Sequence, residues 1–296
     1  MTPLFSLRDA FTEYAGFLAA YTTLGAIGFR YFVSGPLHTR GTPSTRSTLD
    51  TALTRAAVIG LTGALVGVLD FAADLQGAAV ERHSAMLALA TGGNWINLLR
   101  TSLTLLAPLA FLLAWTRPRA GWPAAALVSV VLALRNVATG RWQSMVNPVH
   151  VFAGSMWLGT LFVLVVAGIT AALRKAPDGE RGPLVADLVA RFSPLALWAA
   201  GLLAVTGLIT AWRHLKYWAA LWTTPYGYTL IVKLCVVACV AGLGYWNWKR
   251  VTPTLGDEAG ALRIRRSAST ELGVALVVLT ITAVLVSLPT PKLPAP

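Results

Sequence analysis

Eight stretches of this chain are long and apolar enough to cross a bilayer, and no other feature restricts its fold so much. They run over residues 11–33, 53–77, 96–115, 122–139, 149–173, 190–212, 226–248 and 269–289. A bilayer-spanning helix needs about 20 mainly apolar residues. None of the stretches alternates with the period of a strand, so each reads as a helix that satisfies its own backbone hydrogen bonds rather than as a barrel strand. The composition agrees, at 56% hydrophobic and 12% charged residues with a mean hydropathy of +0.65. The fold expected is an all-α polytopic membrane protein of eight transmembrane helices, forming a single integral membrane domain over residues 1–296.

The opening residues, MTPLFSLRDAFTEYAG, lack the basic region, short apolar core and small-residue site of a cleavable signal peptide. The first helix is therefore expected to act as its own insertion signal. A net charge of +12 raises the question of nucleic acid, but no RNA- or DNA-binding module is present. Basic cytoplasmic loops explain the charge better. Of the 24 Lys and Arg residues, fifteen fall in the first, third, fifth and seventh loops and their helix ends; six fall on the other side. The rule that cytoplasmic loops carry the excess then puts both termini outside. The remaining three, Arg100, Arg135 and Lys233, sit within spans.

The segments TGGNWINLLR (91–100) and TPYGYTLIVK (224–233) each place a cation nine residues after a threonine, at the start of an outer-to-inner helix. This suggests two parallel four-helix repeats, with a first half over 1–145 and a second over 146–296.

On this orientation the metal-capable side chains gather outside. His83, His150 and His214 map to the second, fourth and sixth loops or their helix ends, whereas His38 alone maps inside. Met86, Met145 and Met156 lie on the outer side as well. Imidazole and thioether suit copper, with thioether and thiolate favouring the cuprous ion. Cys235 and Cys239, spaced i,i+4, share a helix face near mid-membrane and make a speculative second station. Two cysteines inside one apolar helix do not suggest a disulfide framework.

Each of these residues also has an ordinary reading. A histidine at a helix end near the interface commonly serves as a polar anchor, and a lone methionine fills core gaps. Small apolar cysteines suit helix packing. The outer carboxylates Glu13, Asp70 and Asp74 either raise the local cation concentration or pair with Arg100, Arg135 or Lys233, pairing being the commoner role. No Walker loop, nucleophile elbow, HExxH pair or CxxC is present, so neither ATP hydrolysis nor a familiar enzyme chemistry is indicated.

The stretch HVFAGSMWLGTLF, with His150, Gly154, Trp157 and Gly159, resembles the copper-resistance D (CopD) family of bacterial inner-membrane proteins. So do RFSPLALWAAGLLAVTG (191–207), TTPYGYTLIVKL (223–234) and the last span with Glu271, in that order. The resemblance covers about 140 residues. It implies eight spans, copper ion, Cu(I) or Cu(II), as the species handled, and a periplasmic copper-binding partner of the CopC type. It also implies location in the bacterial cytoplasmic membrane, with His150 as the membrane histidine.

The resulting expectation is a copper transporter, in the import direction, and not an enzyme. Its outer site would combine His150 with some of His83, Met86, Met145, Met156 and His214, supported by Asp70 and Asp74. Two alternatives stay open: a non-transporting copper-handling assembly factor, and a b-type haem electron-transfer protein with two axial histidines.

Overall fold

A computed structural model describes residues 7–92, 95–135, 137, 142–215, 217–247, 249 and 258–291. Among these the chain forms helices and turns and no strand. In chain order the helices are α1 (Leu7–Gly28), α2 (Gly35–Arg40), α3 (Pro43–Arg82), α4 (Met86–Thr91), α5 (Trp95–Thr116) and α6 (Pro118–Leu134). There follow α7 (Trp142–Gly154), α8 (Thr160–Val163), α9 (Thr170–Lys175), α10 (Arg181–Leu215), α11 (Ala220–Thr223), α12 (Pro225–Trp246) and α13 (Glu258–Ser287).

Local chemistry sets several of these boundaries. Thr42 precedes α3 in an extended conformation, and its hydroxyl accepts the Thr45 N–H at 3.2 Å, while Pro43 occupies the first turn. The helix ends at His83, whose left-handed conformation (φ 47°) turns the chain as a C-terminal cap does. At 1.5 Å per residue its 40 residues run about 60 Å, twice the hydrocarbon thickness, so α3 projects well beyond the membrane. Thr224 and Pro225 start α12 in the same way, the threonine accepting from the Gly227 N–H at 3.0 Å.

π-helical segments interrupt the α geometry at Phe29–Ser34 between α1 and α2, at Ser155–Gly159 between α7 and α8, and at Leu164–Ile169 between α8 and α9. A π turn inserts an extra residue and resets which side chains face a neighbour. The Ser155–Gly159 segment packs against α1. There the two backbones come so close that a Cβ on Gly25 or on Gly159 would run into the other chain segment. Glycine is what permits this approach, as is general for tightly packed membrane helices. One turn on, Gly28 leaves room for the Thr160 side chain.

Helix α1 thereby holds the molecule together, packing on α3, on the α7–α9 stretch and on α13. A continuous core joins Ile27 and Phe29 to Ala52 and Phe111 from α3 and α5, and to Leu161, Leu164, Leu188 and Ile264 from later helices. Helix α12 packs on α13 at the periphery and leaves Ile231, Val232 and Leu234 exposed, as a lipid-facing helix would.

Six helical stretches among the described residues are long and apolar enough to cross a membrane: Pro43–Arg82, Trp95–Thr116, Met145–Lys175, Arg181–Leu215, Pro225–Trp246 and Ala259–Ser287. The fourth apolar run forms α6, which at 17 residues is shorter. Residues 136, 138 and 139 of that run lie outside the described residues. The first run forms α1, where Glu13, Tyr14, Tyr21 and three threonines dilute the apolar character. The protein is thus an all-α, multi-pass membrane protein.

Candidate functional site

His150 lies on α7, which packs against α10. Gly207 of α10 gives the imidazole its place, for a Cβ built there would stand 3.3 Å from His150 Cε1. The neighbouring Thr206 is buried, and its Oγ1 lies 2.8 Å from His150 Nδ1. The same hydroxyl is 2.6 Å from the Leu202 carbonyl oxygen. A hydroxyl has one proton, and the carbonyl can only accept, so the proton goes to Leu202 and the Thr206 oxygen accepts from Nδ1–H. This network fixes the tautomer and leaves the lone pair on Nε2. Metal-ligating histidines are commonly held in this manner, by a second N–H···O bond that orients the ring.

The other expected ligands occupy different surroundings. Met156 is 3% exposed and packs with Leu24, Leu195 and Ala199 as a core residue. Met145 is half-buried near the start of α7. His214 sits near the end of α10, its Nδ1–H donating to the Thr210 carbonyl at 2.7 Å and its ring stacked on Tyr226 at 6.1 Å. His83 is the exposed cap of α3, and Met86 is an exposed residue opening α4. Cys235 and Cys239 are both free and exposed on α12. Among the described residues no three His, Cys, Asp or Glu side chains converge as a metal cluster.

The carboxylates follow the commoner of their two expected roles only in part. Asp74 pairs with Arg100 at 2.8 Å, and the Arg100 guanidinium also lies over the Phe71 ring at 4.7 Å. Asp70, one turn earlier, has a shielded Oδ1 with no hydrogen-bond partner. On the basic side, His38 pairs with Asp50 at 2.8 Å.

Sequence reasoning singled out His150 but not Thr206, which decides what His150 can do. Its only signal was a hydroxyl in an apolar span, and spans hold many such residues whose hydroxyls bond their own helix.

Comparison with known proteins supplies the rest. Residues 186–285 match the model of the family described as Copper resistance protein D. CopD-family sequence is thus present over that segment, which contains Thr206, His214, Lys233 and Glu271, while His150 precedes it. The chain is also similar to the copper transport protein CutJ of Bacillus subtilis (strain 168), at 32% identity over 149 residues. That alignment covers 50% of this chain and 25% of the relative, so the chain matches only a quarter of the relative's length. No solved structure matches.

Proposed function

We propose that this protein carries copper inward across the bacterial cytoplasmic membrane, and that His150 is the principal ligand on the outer side. The observation that carries the reading is the hydrogen bond from His150 Nδ1 to Thr206, which holds the ring with Nε2 available to a metal ion. Imidazole serves either oxidation state of copper, and the CopD-family segment together with the similarity to a copper transport protein supports copper as the cargo.

In this proposal the chain crosses the membrane eight times in two repeated four-helix halves, with both termini outside. The exposed His83 and Met86, beyond the end of α3, then meet copper first, delivered by a periplasmic partner of the CopC type. Met145 and His214 lie along the route to His150, and the Asp70 and Asp74 carboxylates raise the cation concentration near it. Because Asp74 is already paired with Arg100, Asp70 contributes more to that field. The chain is read as a transporter and not an enzyme.

The test is copper binding and copper uptake in sealed proteoliposomes, comparing the intact sequence with His150→Ala. Loss of both in the variant supports the proposal. Binding without flux in either protein replaces it with a copper-holding assembly factor. A Soret band in the purified protein replaces it with the haem alternative.

A further inference from the structure

We propose that a polar cavity between α1, α3, α5, α6 and α7 is a proton-binding chamber, in which Asp70 takes up and releases the proton. The cavity has a volume of about 290 Å³ and is lined by Asp70, Arg100, Thr104, Ser129, Arg135 and Asn147 among others. Gly16, Gly63 and Gly67 are among its lining residues, and Gly63 lets α3 approach α1, since a Cβ there would collide with Thr22. Several water molecules fit in such a volume, and polar walls favour their entry.

Two atoms in this chamber lack a protein partner. Ser129 is 5% exposed and its Oγ has no hydrogen-bond partner; Asp70 Oδ1 is equally shielded and equally unpartnered. The other carboxylate oxygen, Oδ2, rests against Gly16, where a Cβ would stand 3.1 Å away. Buried polar atoms are nearly always satisfied, by protein or by ordered water. Two orphans lining one cavity therefore point to an occupant that supplies hydrogen bonds.

The donor chemistry separates this chamber from the His150 site. Among the described residues no histidine, methionine or cysteine lines it, so these offer copper none of the softer ligands that ion prefers. The charged groups that bear on Asp70 are Glu13 from α1, Asp74 on its own helix and Arg100 from α5. Arg135 lines the cavity from the end of α6, its Nη1 donating to the Leu132 carbonyl at 2.6 Å. From α7 come Asn147 and Pro148, without charge. Arg100 already neutralises Asp74. Among the described residues that line the chamber, this leaves Asp70 as a carboxylate without an ion-pair partner, beside the Arg100 and Arg135 guanidinium groups. With Asp74 committed to Arg100, the chamber offers a multivalent metal ion a single carboxylate, too few charged oxygens for its coordination shell, whereas a proton neutralises that carboxylate and brings no coordination demand. Uptake forms an O–H bond at Oδ1 as a hydronium ion in the cavity becomes water; release reverses it, with no electron transfer.

A carboxyl group cycling its proton in the second half of α3 is suited to couple proton movement to transport. That coupling rests on the copper-transport reading; the proton site itself does not. The experiment therefore has a copper-free arm and a copper arm. In the first, infrared difference spectra of the reconstituted protein between acidic and alkaline pH, at fixed sodium, are compared with those of Asp70→Asn and Asp74→Asn. The expected result is a pH-dependent carboxylic-acid band that persists in Asp74→Asn and disappears in Asp70→Asn. A band unchanged in Asp70→Asn overturns the proposal, as does a sodium-dependent but pH-insensitive carboxylate signal, which would mark a hard-cation site. Asp70→Glu guards against misfolding, because it should restore a shifted band. In the second arm, copper uptake under an imposed proton gradient is measured as the copper content of the vesicles, while a pH-sensitive dye inside them reports the gradient. At saturating copper, Asp70→Asn should lose at least tenfold of the gradient-driven uptake. Equal gradient-driven uptake in both proteins overturns the coupling. A protein that binds no copper but keeps the Asp70 band overturns the transport reading and sustains the proton site.

Discussion

Replacing Thr206 by Val removes one hydroxyl and nearly nothing else, which makes it the sharpest probe of the arrangement at His150. The hydroxyl contacts the Leu202 carbonyl at 2.6 Å, the Leu203 carbonyl at 3.3 Å and His150 Nδ1 at 2.8 Å. The carbonyls lie within α10 and keep their helical partners, so their loss matters little. His150 Nδ1–H, in a half-buried position, is left without an acceptor. An unsatisfied donor of this kind costs about 1–3 kcal/mol. The ring relieves it by turning away or by moving its proton to Nε2, and either change removes the lone pair from the metal-facing position. With tenfold for every ~1.4 kcal/mol, and with the general loss on removing such an orienting group, copper binding should weaken roughly 10- to 100-fold. Competition with a chelator of known affinity measures this directly. Thr206→Ser keeps the oxygen and should bind within about threefold of the intact sequence, by the same bookkeeping. The reasoning is refuted if Thr206→Val binds copper as the intact sequence does while His150→Ala does not, for then the hydroxyl plays no part in presenting the ring.

Gly159→Ala should lower the apparent melting temperature in detergent, by the overpacking cost of about 1–3 kcal/mol, because the new methyl meets the backbone of α1. Gly201→Ala, with open space around the added methyl, is the matched control and should melt at or above the original temperature. Asp74→Asn should cost less than about 1 kcal/mol in thermal stability, since both partners of the Arg100 pair are part-exposed (36% and 46%); a larger loss would mean the pair is shielded in the membrane. Replacing Cys235 and Cys239 together by Ala should leave copper uptake within about twofold, roughly the scatter of a lipid-facing apolar change. Loss of uptake in that variant would make the pair a second copper station.

What the sequence by itself determined is that the chain is an all-α, multi-pass membrane protein. A span must satisfy every backbone hydrogen bond within its own segment, so its presence is a local property, legible in windows such as 149–173 or 226–248 without knowledge of any neighbour. The pairing of Asp74 with Arg100 was legible for a similar reason, because intramembrane charges seldom stand alone. Which residues share a site is not local. Met156 groups with His150 in the sequence because both map to the outer side; where its side chain packs, in the core beside Leu24, was decided by the assembled bundle. Thr206 and Ser129 carried no signal in the chain beyond a hydroxyl in an apolar run. They acquired their roles only when helix packing set one against His150 and left the other facing the Asp70 cavity. Rotation and closeness of helices depend on small-residue contacts summed over many turns, and these are decided by the assembled bundle rather than by any one segment.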